Sequence, residues 1–171
     1  MNLYVVRHGQ TEANVKHLFN GINEGDLTSI GVKQAEELLP ALESINIDCI
    51  FCSPLTRALH TANILNVNNK PIYKDKRIIE RDFGEYTLKP ADIIQDKSVL
   101  YDLDDNTYKE FESFSSIIKR VKSFISELKE KYENENILIV THGDIILGIQ
   151  EYLNKRTVEY PKTCELIKFE L

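Results

Sequence analysis

Three short stretches of the chain are almost wholly apolar. They are Leu3–Val6, the run "IDCIFC" ending at Cys52, and "NILIVT" ending at Thr141. Runs this short and this apolar predict strands buried on both faces. Between them the period changes to that of a helix. In "TSIGVKQAEELLPALES" the apolar positions Val32, Ala35, Leu38, Leu39 and Leu42 share one face, and Thr28 or Ser29 is placed to cap it. Pro40 lies inside that pattern and predicts a kink or a local break. "SPLTRALHTANIL" predicts a helix with Ser53 as its cap and Pro54 at its first position. "FSSIIKRVKSFISELKEKY" predicts a long amphipathic helix, "GDIILGIQEYL" another helix, and "CELIKFEL" a last strand.

Strands alternating with helices, several too apolar to carry a wet face, predict an α/β fold. The expected architecture is a three-layer sandwich, a mostly parallel central sheet with helices on both faces. A single domain over residues 1–171 is expected from the length. Residues 82–116 depart from this scheme, with weak periodicity and many acids. They predict an irregular acidic insertion with a short helix near Pro90–Asp96, of the kind that serves as a lid or binding loop.

Composition narrows the classes. The net charge of -6 argues against a nucleic-acid surface, which is normally basic. No stretch approaches a membrane span and no signal peptide is visible, so neither nucleic acid nor membrane is an expected partner. Cys49 and Cys52 form a C-x-x-C, which raises redox or zinc chemistry. In a strand, however, residues three apart face opposite ways. With Cys164 they are expected to be reduced structural thiols of a cytoplasmic protein.

Candidate chemistry sits where strands end. The first strand runs straight into Arg7, His8 and Gly9; the second leads through Ser53 to Arg57; the third ends on His142 and Gly143. Functional polar residues of such sheets gather at the carboxyl ends of strands. If these strands are neighbours, two arginines and two histidines converge. Burying that much cationic character demands an anion, and the helix start after Gly143 offers backbone donors to it. The global negative charge does not forbid this, because a local pocket can oppose it.

These blocks resemble the signature of the histidine phosphatase superfamily, the phosphoglycerate-mutase-like family. "RHGQT", "SPLTRALHTA", "IIERDFGEY" and "VTHGD" occur in the family's order across nearly the whole chain. The resemblance implies a metal-independent phosphatase acting on a small phosphorylated metabolite, with no cofactor. It implies His8 as the nucleophile that becomes a phosphohistidine and Glu80 as general acid and base. Arg7, Arg57 and His142 would surround the phosphoryl oxygens, with Asn14 and Gly143 as further phosphate contacts. Such a division of labour suits phosphoryl transfer, which needs chiefly positioning and charge stabilisation. "NGINEGDLTSIG" departs from the family pattern, with Ile22 after Gly21 and no proline, so a substrate contact from that loop is not carried over. His17 and His60 are read as surface residues.

Other readings remain. A phosphoglycerate mutase would need basic residues in the insertion, yet no arginine lies between Arg81 and Arg120. A protein phosphohistidine phosphatase resembling this chain would lack the acid that Glu80 supplies. A non-catalytic phosphate-binding module would not need the full set. A metal enzyme would need ligand spacing such as H-x-x-x-H, which is absent. The segment from Asp82 to Lys119 holds nine carboxylates, among them Asp102, Asp104 and Asp105, against four lysines. If it covers the pocket, its field favours monophosphates whose remainder is neutral or cationic.

Overall fold

Strand β1 (Asn2–Arg7) is buried on both faces, as a central strand of a covered sheet must be. Its neighbours are β4 (Asn136–Thr141), parallel to it, and β5 (Leu166–Glu170), antiparallel. Strand β2 (Cys49–Cys52) runs parallel to β4 on its other side, and β3 (Ile72–Lys74) runs parallel to β2 at the edge. The sheet order is therefore β3-β2-β4-β1-β5. The computed structural model describes residues 1–103, 108, 110–155 and 159–171.

Alternation along the strands sorts the core into two layers. Leu3, Val5, Phe51, Ile137 and Ile139 face one side, where helices α4 (Phe114–Lys131) and α5 (Gly143–Tyr152) cover them. Tyr4, Val6, Ile50, Leu138 and Val140 face the other, under α2 (Ser29–Glu43) and α3 (Thr56–Leu65). Cys49 belongs to the first layer and Cys52 to the second, so the pair cannot close on itself. Burial pushes both thiols up to about 12, which leaves them inert. The three-layer, mostly parallel arrangement is the expected one.

Local details differ from expectation. Helix α2 runs uninterrupted through Pro40, because both Pro40 and Glu36, whose carbonyl loses its amide partner, face solvent. Thr28 caps it, its Oγ1 accepting from the Gly31 amide at 3.0 Å. Ser53 does not cap α3; the N-cap is Leu55, with no side-chain bond. A four-residue helix α1 (Glu12–Val15), held by a Thr11–Asn14 capping box, was not expected, nor was β3, whose exposed residues carry no apolar run.

The 82–116 segment folds as short 3-10 turns at Gly84–Tyr86, Ala91–Ile93 and Lys97–Tyr101. It has its own core of Phe83, Ile94, Leu100 and Phe111 packed on Phe19. Asp104 and Asp105 lie outside the described residues. No helix among the described residues is long and apolar enough to cross a membrane.

Phe124 of α4 is fully buried, meets Phe51 edge-on at 5.5 Å and lies under the Arg77 guanidinium. Phe124→Ala should cost about 3–5 kcal/mol in urea unfolding. A loss below about 1 kcal/mol would contradict this packing.

Candidate active site

Because β4 lies between β1 and β2, all three strand ends meet at one edge of the sheet. The His8 amide donates to Thr141 O at 2.9 Å, continuing the β1–β4 ladder one residue past the strand. His8 is 1% exposed. Its Nδ1 lies 2.7 Å from Gly9 O. A carbonyl can only accept, so Nδ1 carries the proton and Nε2 keeps its lone pair. Arg57 Nε donates to that Nε2 at 3.3 Å. Burial, then Arg57 and Arg7, hold the imidazole well below its ordinary range, so it is neutral near pH 7.

Arg57, the second residue of α3, is fully buried. Its other donors go to Gly21 O and Asn23 O, each at 2.7 Å. Gly21 has φ of +54°, a conformation that favours glycine. The loop after α1 thus contributes carbonyls to the arginine, while the side chain of Ile22 is 44% exposed. Burial lowers Arg57 to about 10, against the opposing pull of Glu80 and Glu24. Arg7 donates to Pro161 O at 2.8 Å and lies over the Tyr160 ring, and its buried Nε has no partner among the described residues.

His142 is fully buried, its ring 5.2 Å from that of His8. Its Nε2 shares a 2.7 Å hydrogen bond with Ser53 Oγ, while Nδ1 has no partner among the described residues. That bond explains why Ser53 is not a helix cap. Burial, then the charge of Arg57, the neighbouring His8 ring and Arg7 lower His142 well below its ordinary range.

Glu80 comes from a segment without regular structure, and its position is fixed by others. Arg120 of α4 donates to the carbonyls of Arg77 and Ile79 at 2.7 Å and to that of Glu80 at 3.4 Å. Thr141 Oγ1 donates to Ile78 O at 2.8 Å. Glu80 is 6% exposed, and its Oε1 accepts from the Arg81 amide at 2.9 Å. Burial, then the charge of Asp144, raises the carboxyl to about 7, against Arg81, Arg57 and Arg7.

His8, Arg7, Asn14 and Glu80 line a cleft of about 670 Å³. Arg57 and His142 lie behind His8 and do not form its wall. Asn14 Oδ1 is taken by Thr11, at 3.0 Å from both its amide and its hydroxyl, which leaves the amide nitrogen for the cleft. Gly143, expected as a phosphate contact, does not line the cleft either. A β-carbon there would collide with the Tyr160 hydroxyl, so packing accounts for the glycine.

The insertion forms one wall of the cleft through Phe83, Ala91, Lys97, Leu100 and Tyr101. None of its described carboxylates lines the cleft, so the expected acidic field over the pocket is not carried by those residues. Lys97, Lys162 and His17 are the cationic or titratable groups near the mouth; His17 is exposed, as expected, yet lines it. His60 pairs with Asp26 away from the cleft.

Sequence reading passed over Arg81, Asp144 and Tyr160. Arg81 and Asp144 are 4% and 2% exposed, and all three are charged or hydrogen-bonded beside Glu80. The buried Arg57 and the half-buried Arg7, which donate to carbonyls and to no carboxylate among the described residues, set around a neutral imidazole, define a site for a small anion.

Comparison with known proteins agrees with that class. Residues 3–168 match the histidine phosphatase superfamily (branch 1). The adenosylcobalamin/alpha-ribazole phosphatase of Escherichia coli is 31% identical over 153 residues, covering 85% of this chain and 75% of that protein. Phosphoserine phosphatase 1 of Hydrogenobacter thermophilus is 31% identical over 152 residues, covering 83% of this chain and 71% of its own length. The crystal structure of Bacillus stearothermophilus YhfR superposes with a TM-score of 0.86 at 27% identity, covering 99% of this chain and 91% of that one. The chain belongs to the histidine phosphatase superfamily and is a hydrolase of phosphate esters.

Ser53→Ala should leave the buried His142 Nε2 without its partner. The expected cost is about 1–3 kcal/mol in urea unfolding, with the circular dichroism spectrum unchanged. An unchanged unfolding midpoint would show that the 2.7 Å contact does not hold His142.

Proposed function

We propose that residues 1–171 form one phosphatase domain that hydrolyses small phosphate monoesters through a phosphohistidine on His8. The observation that carries this reading is the Arg57 guanidinium. It is fully buried, yet its hydrogen-bond partners among the described residues are two carbonyls and the neutral His8 ring. A buried cation with only neutral acceptors is poised for an anion that arrives with the substrate. A phosphoryl group meeting Arg57 must also meet His8 Nε2, since the two are in contact.

The chemistry follows from the protonation states. His8 Nε2 attacks phosphorus and the bond to the ester oxygen breaks. Glu80, raised to about 7 and so partly protonated at neutral pH, gives its proton to the departing alkoxide. Water then attacks the phosphohistidine while Glu80 takes back a proton, and the P–N bond breaks to release phosphate. Arg7 and Arg57 balance the charge that builds on the phosphoryl oxygens. With Ser53 donating to Nε2, His142 presents Nδ1–H to the same oxygens, and Asn14 adds a neutral donor. The two arginines do the electrostatic work that a metal ion does in other phosphatases. Among the described residues, no group of three or more His, Cys, Asp or Glu side chains could hold a metal. The substrate class is a small phosphorylated metabolite, as the cleft volume allows. Free, inert cysteines suit a reducing cytoplasm.

Glu80→Gln should lower kcat/KM for an alkyl phosphate by about 10²–10⁴, the range of general acid catalysis. The loss on p-nitrophenyl phosphate should be far smaller, because that leaving group hardly needs a proton. In the wild type, kcat/KM for the alkyl ester should fall as pH rises through about 7, where Glu80 loses its proton. Both activities should survive EDTA. Equal losses on the two esters, or chelator inhibition reversed by Zn²⁺ or Mn²⁺, would contradict the reading.

A further inference from the structure

Asp144, the second residue of α5, is 2% exposed on the cleft wall. A buried carboxylate beside a general acid calls for an explanation, since burying a charge is costly unless it is compensated. Three separate parts of the chain converge on it. The Tyr160 hydroxyl donates to its Oδ1 at 3.0 Å, from the loop after α5. The Tyr101 hydroxyl donates to the same atom at 3.3 Å, from the insertion. Arg81 Nη1 lies 3.6 Å from Oδ2, and that oxygen accepts no hydrogen bond from the described residues. The first turn of a helix also favours an acidic side chain.

Arg81 ties this cluster to Glu80. Its backbone amide donates to Glu80 Oε1 at 2.9 Å, while its guanidinium faces Asp144. The same side chain donates to Glu112 O at 2.7 Å and Leu100 O at 2.8 Å and lies over the rings of Phe83 and Phe111. Resting on the role proposed above for Glu80, we infer that Asp144 is a positioning residue for the general acid. It anchors Arg81, Tyr101 and Tyr160 around Glu80 and sets a negative charge beside it that keeps the acid protonated.

The balance of charges supports this. Arg57 from α3 and Arg7 from β1 pull the carboxyl toward its ionised form, as does the Arg81 amide on Oε1, while Arg120 from α4 holds the backbone carbonyl of Glu80. The rings of His8 and His142 are held neutral, and both tyrosine hydroxyls are held protonated by burial and by Asp144. Burial is the largest influence that raises Glu80, and Asp144 is the anion that adds to it; without Asp144, burial alone would oppose Arg57, Arg7 and the Arg81 amide. The insertion is held by the same carboxylate through Tyr101 and Arg81, so the wall of the cleft and the proton on Glu80 depend on one side chain.

Asp144→Asn separates this role from a purely structural one. The readout is the pH profile of kcat/KM, taken with an alkyl phosphate and with p-nitrophenyl phosphate. Removing the negative charge lowers the Glu80 pKa, so the alkaline fall for the alkyl ester should begin at lower pH, by about one unit or more. At pH 7 the alkyl ester should lose more than the nitrophenyl ester. A limb that stays at the wild-type pH, with equal losses on both esters, would overturn the inference while leaving the phosphatase reading intact. Failure of the wild type to hydrolyse either ester would instead overturn the phosphatase reading. Should the variant not fold, carboxyl-labelled aspartate can be followed by ¹³C NMR in the wild type and in Glu80→Gln. One aspartate resonance should step near pH 7 in the wild type and lose that step in the variant. Aspartate resonances that are the same in both proteins across this range would refute the coupling.

Discussion

The structure depends on holding one guanidinium, that of Arg57, out of water with no carboxylate hydrogen-bonded to it among the described residues. Arg57 is fully buried and hydrogen-bonded to the carbonyls of Gly21 and Asn23 and to the His8 ring. Arg7 rests on Pro161 O and the Tyr160 ring. Carbonyls satisfy the donors but leave the charge largely uncancelled. A buried cation in that condition is costly, and the rest of the fold supplies the stability that tolerates it. The two apolar layers on either side of the sheet are that source. Had a glutamate been placed against Arg57 as a direct partner, the site would be more stable and less able to take a phosphoryl group.

The same cations set the protonation of everything near them. Burial first, and these cations after it, keep His8 and His142 neutral, so His8 retains a lone pair at Nε2 at neutral pH. The cations also pull on Glu80 toward the ionised form, against burial and Asp144. Nucleophile and acid therefore need opposite things from one field. The nucleophile needs positive charge close by; the acid needs it offset. The fold separates them, with His8 at the end of β1 beside Arg57, and Glu80 on a segment pinned by Arg120 and Thr141 next to Asp144.

The strand ends were legible in the sequence because three apolar runs stop abruptly on Arg7-His8, Ser53 and His142. Sheet logic then places such residues together, and the order β2-β4-β1 does so. Glu80 was legible only through its resemblance to a family motif, because its segment has no periodicity of its own. Asp144 stood in plain view within "VTHGD". Nothing local marks its partners, since Arg81, Tyr101 and Tyr160 come from distant stretches that meet only in the folded chain. Ser53 misled for a related reason. A serine before a helix normally caps it, and here the tertiary partner His142 takes the hydroxyl. The charge of the insertion misled as well, because counting carboxylates along a segment does not say which way they point.

The central claim is that a phosphoryl group passes through His8 Nε2. Rapid quench of the wild type with a ³²P-labelled phosphate monoester tests it most directly. The account predicts protein-bound label that is stable in base and labile in acid, as a phosphoramidate is, and that maps by peptide mass spectrometry to His8. Label stable in acid, label on another residue, or steady turnover with no trapped phosphoprotein at any quench time would contradict it.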